Sequence, residues 1–144
     1  MDLAAEVIVE RPVQKVFSFY NDRANYTLWA SEIVSVEQIS GHPGEIGSIS
    51  KHTYKILGKE EQVVVEITDK IDLKEITKTV SHKVLDIIVS VYFVAMEDKT
   101  KIISMFSVTP KNASLRLMMP SLKTLVKKNQ EAGLVKFKQL LESH

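Results

Sequence analysis

Apolar residues in this chain switch between strand-like and helical spacing, and each change of spacing marks an element. Residues 4–9 read as a first strand, which Glu10-Arg11-Pro12 closes. Pro12 suits a first helical position, where its missing N–H is not needed. Val13, Val16, Phe17 and Tyr20 then recur at helical spacing. Asn21-Asp22 breaks that helix and can cap a second, short one. There Tyr26 and Trp29 lie three apart and share a face.

Period-two patterning follows, over residues 33–40, 47–56, 60–68, 73–81, 84–96 and 100–109. The breaks between these segments are short turns: Gly41-His-Pro-Gly44, Leu57-Gly58, 69–72 and Glu97-Asp98-Lys99. Strands joined so closely imply an antiparallel meander and not parallel strands linked by helices. From about Asn112 the spacing becomes 3.6. Leu115, Met118, Leu122, Val126, Asn129, Gly133, Phe137 and Leu140 form one stripe, with Leu125 and Leu141 beside it. Ser114 can cap this last helix, and Pro120 marks a kink or a later start.

Composition narrows the function classes. A length of 144 residues suits one domain, which buries roughly 68–70% of its unfolded surface. The net charge of +1, from 19 basic and 18 acidic residues, recruits neither nucleic acid nor an anionic membrane. With no cysteine, disulfides and thiolate chemistry are excluded and a reducing, cytoplasmic location is expected. The acidic N-terminus lacks a signal-peptide pattern, and charges interrupt every apolar run before it could span a membrane. His42, His52, His82 and His144 show no metal-ligand spacing, so no metal and no cofactor is expected. No phosphate loop and no nucleophile elbow is present.

The wording of several segments resembles a known family. These are Val9-Glu-Arg-Pro-Val-Gln-Lys-Val-Phe17, Asn25-Tyr26 with Trp29, Val34-Ser-Val36 leading to Gly44-Glu-Ile-Gly47-Ser48, Val108-Thr-Pro110 and the Gly133-containing last helix. Together with the element order they resemble the START-like, Bet v 1-like (SRPBCC) helix-grip superfamily. They are most similar to its polyketide cyclase/dehydrase branch. The resemblance implies an α+β helix-grip fold over residues 1–144 as a single domain. In that fold a curved seven-stranded antiparallel sheet, with two short helices after the first strand, wraps around a long C-terminal helix. The superfamily includes lipid carriers, hormone receptors, cyclases and chaperone-like proteins, so fold does not choose the function.

Strand alternation nominates the inner face. Lys51, Thr53 and Lys55 belong in water, which turns Ser48, Ser50, His52, Tyr54 and Ile56 inward. By the same rule Lys74 and Lys78 point outward and Leu73, Glu75, Thr77 and Thr79 point inward. Val63, Val65 and Ile67 form the apolar phase of the fourth strand, and Leu85, Ile87, Val89, Val91 and Phe93 that of the sixth. The seventh strand offers Ile102, Phe106 and Val108 or, alternatively, Ile103 and Met105. In the last helix, Asn129 followed by Gly133 leaves room against the sheet.

These positions predict a binding site for a hydrophobic or amphipathic small molecule between the sheet and the last helix. Its candidate residues are Tyr26, Trp29, Ser50, His52, Tyr54, Thr77, Asn129 and Gly133, with the mouth near Tyr26 and Trp29. Structural roles stand beside these: Tyr26 and Trp29 can also anchor the short helices, His52 can be a hydrogen-bonded interior residue or point outward, and Glu75 can be a solvated strand residue. The alternative is a cyclase or dehydratase in the same cavity. His52 or Tyr54 would then shuttle a proton, and Glu75 would act as a base or as the partner of His52. A third reading is a chaperone-like partner protein, suggested by the two-sided apolar character of the sixth and seventh strands. A homodimer explains that character equally well.

Overall fold

The computed structural model describes residues 1–30, 32–56 and 58–143, and for Ile56 the backbone only. The expected inward side chain of Ile56, the Leu57 half of its turn and His144 therefore lie outside the described residues. In chain order the elements are β1 (Asp2–Val9), α1 (Val13–Asn21), α2 (Tyr26–Trp29), β2 (Ile33–Ser40), β3 (Ile49–Ile56), β4 (Lys59–Ile71), β5 (Glu75–Ser81), β6 (Leu85–Met96), β7 (Lys99–Pro110) and α3 (Ala113–Glu142). A 3-10 turn over Arg23–Asn25 joins the short helices. Asp22 Oδ1 caps it, accepting from the Ala24 N–H at 3.0 Å.

The strands form one antiparallel sheet in the order β1-β7-β6-β5-β4-β3-β2. Consecutive hairpins account for β2 to β7, and β1 closes the far side against β7. That leaves β1 as an edge, with a row of backbone groups to satisfy. The C-terminal end of α3 supplies partners there. Lys138 Nζ donates to the Ile8 carbonyl at 2.6 Å, and Glu142 Oε2 accepts from the Glu10 N–H at 2.8 Å. Arg11 Nη2 in turn donates to the Glu142 carbonyl at 2.7 Å.

The core lies where α1, α2 and the second half of α3 meet the concave face. Val9, Val16, Ile76, Ile102 and Phe137 are fully enclosed. Tyr20 is the hub of an aromatic group, with ring centroids 5.5 Å from both Trp29 and Phe93 and 6.0 Å from Phe137. The β2–β3 loop docks onto this layer through Asn21, whose Nδ2 donates to the Gly44 carbonyl at 3.1 Å. Gly44 has φ +81°, and a Cβ there would meet Asn21 Nδ2 at 3.0 Å, so both conformation and contact call for glycine.

Side-chain direction settles one open question and corrects three expectations. In β7, Ile102, Ser104 and Val108 face the core and Met105 faces solvent, which gives that strand its phase. In β5 the expected phase is reversed: Ile76 and Lys78 are buried, while Glu75 and Thr77 lie on the convex side. The cause is Leu73, which packs on the core from a turn with φ 63°, so alternation does not run through it into the strand. In α3 the helix is capped by Asn112, not Ser114: Asn112 Oδ1 accepts from the Leu115 N–H at 2.7 Å.

The buried line of α3 also differs from the expected stripe. It runs through Met119, Gln130, Leu134, Phe137 and Leu141, and Met118 is 62% exposed. The apolar arc was wide enough to permit several rotations. The burial of Leu134, Phe137 and Leu141 fixes one of them, and Gln130, four residues before Leu134, comes inward with them. Pro120 sits inside the helix, where it has no N–H to donate to the preceding turn. Leu117 and Met118 project into solvent just before it.

Candidate ligand site on the concave face

β3 carries a polar inner line, as its lysine spacing predicts. Ser48, Ser50 and His52 are buried, and Tyr54 is half-buried with its ring stacked on His52 at a centroid distance of 6.3 Å. Ser50 Oγ and His52 Nε2 are 2.9 Å apart, while His52 Nδ1 is enclosed without a partner. Ser48 Oγ accepts from Gln38 Nε2 at 2.9 Å, and Gln38 Oε1 accepts from Arg23 Nη1 at 2.9 Å. A hydrogen-bonded chain thus links Arg23, between the two short helices, to the inner wall.

Lys78 of β5 reaches this wall from the neighbouring strands. It is only 7% exposed. Its ammonium donates to Tyr26 Oη and lies 4.3 Å from the Tyr26 ring centroid and 4.9 Å from that of Tyr20. Phenol and ring faces are the partners that the described residues offer this cation; no carboxylate lies within ion-pair distance.

The electrostatics follow from this enclosure. Burial disfavours the Lys78 ammonium, but the oxygens of Tyr20, Tyr26 and Tyr54 outweigh it and hold its pKa above the ordinary lysine value. Lys78 is a cation at neutral pH. Burial, then Lys78 and Arg23, pushes His52 down to about 4, so its ring is neutral. Burial likewise pushes the Tyr54 phenol up to about 12 and raises Tyr20. At physiological pH the inner wall therefore holds the Lys78 cation, the neutral imidazole of His52 and the neutral phenols of Tyr20 and Tyr54.

Opposite, Gln130 of α3 is buried and donates from Nε2 to the Ser104 carbonyl at 3.0 Å; its Oε1 has no partner. Trp29 Nε1 is a further enclosed, unpartnered group.

Cross-strand registry shows where the core stops. Ala5, Ser104, Val91 and Ile76 lie side by side, and the last three are buried. The next row is Leu3, Phe106, Val89, Lys78 and Ile67; the row beyond is Val108, Ile87, Val80, Val65 and Ser50. In these two rows Phe106, Val89, Ile87 and Val80 face inward but are only half-buried. Val63, paired with His52, is half-buried too, as are Leu122 and Val126 of α3. Apolar residues on a concave face that remain partly exposed outline a trough, and Lys78 stands in the row where it begins.

The structure distributes the sequence-nominated residues unevenly. Ser50, His52, Tyr54 and Tyr26 come together around Lys78. Trp29 packs between Tyr20 and Phe137, with Gly133 against it: a Cβ on Gly133 would sit 3.8 Å from the indole, an ordinary contact. Tyr26 is buried in the same layer, and both residues anchor the short helices on the sheet. Asn129 is half-buried beside the line that Gln130 occupies. Thr77 and Glu75 are corrections: they hydrogen-bond to each other at 3.3 Å on the convex face, where Thr77 also meets Ser90 at 3.4 Å. From there Glu75 cannot partner His52, and neither residue can touch a ligand in the trough.

Lys78 and Gln130 were missed because charged and amide residues are ordinarily placed in water. One sequence cue pointed the other way: Lys78 lies between Ile76 and Val80, at a spacing of two on each side. Two surface clefts, of about 610 and 430 Å³, lie elsewhere. One runs between β1 and α3 and the other between α1 and the loops at Pro43 and Asp72, and neither includes Lys78, His52 or Tyr54. Among the described residues no helix is long and apolar enough to cross a membrane, and no group of three or more His, Asp or Glu could hold a metal ion.

Comparison with known proteins agrees with this architecture. The chain is similar to a START superfamily protein from Mycobacterium smegmatis, with a TM-score of 0.82 and 15% identity over 99% of this chain and 97% of the other. It is similar to the Zhui aromatase/cyclase from Streptomyces sp. R1128, with a TM-score of 0.83 and 14% identity over 99% and 93%. A major latex-like protein from Panax ginseng matches with a TM-score of 0.74 and 14% identity over 96% and 95%. At such identities these likenesses establish the helix-grip fold alone. No curated protein sequence matches. The family described as "Polyketide cyclase / dehydrase and lipid transport" matches residues 1–142, and the chain therefore belongs to that family.

Proposed function

We propose that this protein binds a hydrophobic or amphipathic small molecule in the trough between the sheet and α3. The observation that carries the reading is the set of inward-facing apolar residues, Val63, Val80, Ile87, Val89 and Phe106, that the fold leaves half-buried. Covering them with an apolar ligand would be favourable by roughly 25 cal/mol per Å². Ser50, His52 and Tyr54 would meet its polar end. The lack of cysteine fits action in a reducing compartment such as the cytoplasm.

Fluorescence of the neutral probe N-phenyl-1-naphthylamine tests this reading. Saturable enhancement is expected, and Ile87→Trp, which fills the trough, should abolish it while the far-UV circular dichroism stays native. Unsaturable enhancement, or saturable binding indifferent to Ile87→Trp, would count against a site in the trough.

A second reading is cyclase or dehydratase chemistry. The Ser50–His52 hydrogen bond at 2.9 Å and the neutral imidazole favour it, because a neutral ring can accept a proton. Its test is turnover of a polyketide-type substrate by His52→Gln: a large loss of kcat supports proton transfer, and an unchanged kcat removes it.

A further inference from the structure

The cation at the end of the trough has a consequence for the kind of molecule that fits. A buried charge is retained at a cost unless something compensates it. Lys78 has a phenol and two ring faces, and the described residues give it no carboxylate. Arg23, the other cation near the wall, is engaged with Gln38. His52 Nδ1, nearby on the same wall, is enclosed and unpartnered. His52 is 3% exposed, so its free ring nitrogen and Lys78 are both more than nine-tenths enclosed polar groups at one end of an apolar trough.

We infer that the ligand carries an anionic oxygen, a carboxylate or an acidic enol or phenol, that binds Lys78 Nζ while its apolar body lies along Val89, Val80 and Ile87. The inference rests on the proposed binding function and gives it a chemical class. An ammonium has three protons to donate, and the Tyr26 oxygen takes one. The anion takes another and neutralises the charge. His52 then offers its second ring nitrogen to the same polar group, as donor or acceptor according to tautomer. Two kinds of molecule share this chemistry. A flexible alkyl acid would lie along the valines, and a planar aromatic acid would add stacking against Tyr54 and His52.

Displacement of N-phenyl-1-naphthylamine from the full chain separates the possibilities. Dodecanoate is compared with dodecan-1-ol, and 2-naphthoate with 2-naphthylmethanol, at pH 7.5. At least one acid should displace the probe at about tenfold lower concentration than its alcohol, the worth of a charge-assisted hydrogen bond. Lys78→Met should remove that advantage. The acid with the larger advantage identifies the alkyl or the aromatic source. Equal competition by acid and alcohol in both pairs overturns the inference, and so does an advantage that survives Lys78→Met. The comparison on the unaltered protein is decisive by itself if Lys78→Met does not fold. Failure of the probe to bind overturns the binding reading and this inference with it, whereas probe binding without acid preference overturns this inference alone.

Discussion

His52 shows how one side chain reports on its surroundings. Its folded pKa lies at about 4, below the unfolded value of about 6.5, because burial and then Lys78 and Arg23 oppose the imidazolium. Between those values the unfolded chain binds a proton that the folded chain refuses. Folding stability is therefore complete above pH 6.5 and falls as pH drops toward 4, by up to about 3 kcal/mol from this group. His52→Gln, which removes the titration, should flatten the urea-unfolding free energy between pH 7 and 4 relative to the parent. Parallel curves would mean that His52 titrates as an ordinary histidine. At Lys78 the expectation is different. The cation is held by aromatic faces and a phenol, and apolar replacement of buried charge is often neutral or stabilising. Lys78→Met should therefore leave the melting temperature unchanged or raised. A fall of several degrees would show that the lysine is a structural necessity.

At the scale of elements, α3 carries two predictions. Gly133 is helical, and the nearest atoms to an added Cβ are Trp29 ring carbons at 3.8 and 3.9 Å. Gly133→Ala should raise stability by about 0.5–1 kcal/mol through helix propensity. A loss in thermal unfolding would mean that the glycine gives Trp29 room it cannot yield. Asn112→Ala removes the cap on Leu115 and should lower stability by about 1 kcal/mol. An unchanged melting temperature would show that the exposed first turns are already frayed. The elements themselves were legible because their patterns are long: β4 alternates over many residues, β6 is a long apolar run between turns, and α3 keeps helical spacing through Leu134, Phe137 and Leu141. β5 was not legible. Its two faces are nearly balanced, Thr77 and Thr79 against Ile76 and Val80, and Leu73 leads into the strand from a left-handed turn. A rule that sends lysine to water then decided the phase wrongly. Gln130 escaped for a related reason, since an amide is not counted among core residues until its neighbours Leu134 and Phe137 have fixed the helix rotation.

For the whole molecule, the fold divides the concave face into a filled half and an open half. The filled half is aromatic and locks α1, α2 and the end of α3 to the sheet through Tyr20, Phe93 and Phe137. The open half is a trough of valines, isoleucine and phenylalanine beside the first part of α3, and the border between the halves is charged. Ser50, His52 and Tyr54 could be read from the alternation of β3, but the lysine that organises them depends on contacts across the sheet that one strand's pattern does not contain. A ligand held on the concave side would touch one face of each strand and leave the other bare. Methyl-selective 13C NMR of the full chain, titrated with N-phenyl-1-naphthylamine, tests this placement most directly, because neighbouring residues report on opposite faces. Methyl signals of Val63, Val80, Ile87 and Val89 should shift while those of Val64, Ile88 and Val94 stay in place. Shifts confined to Val64, Ile88 and Val94 would contradict the account.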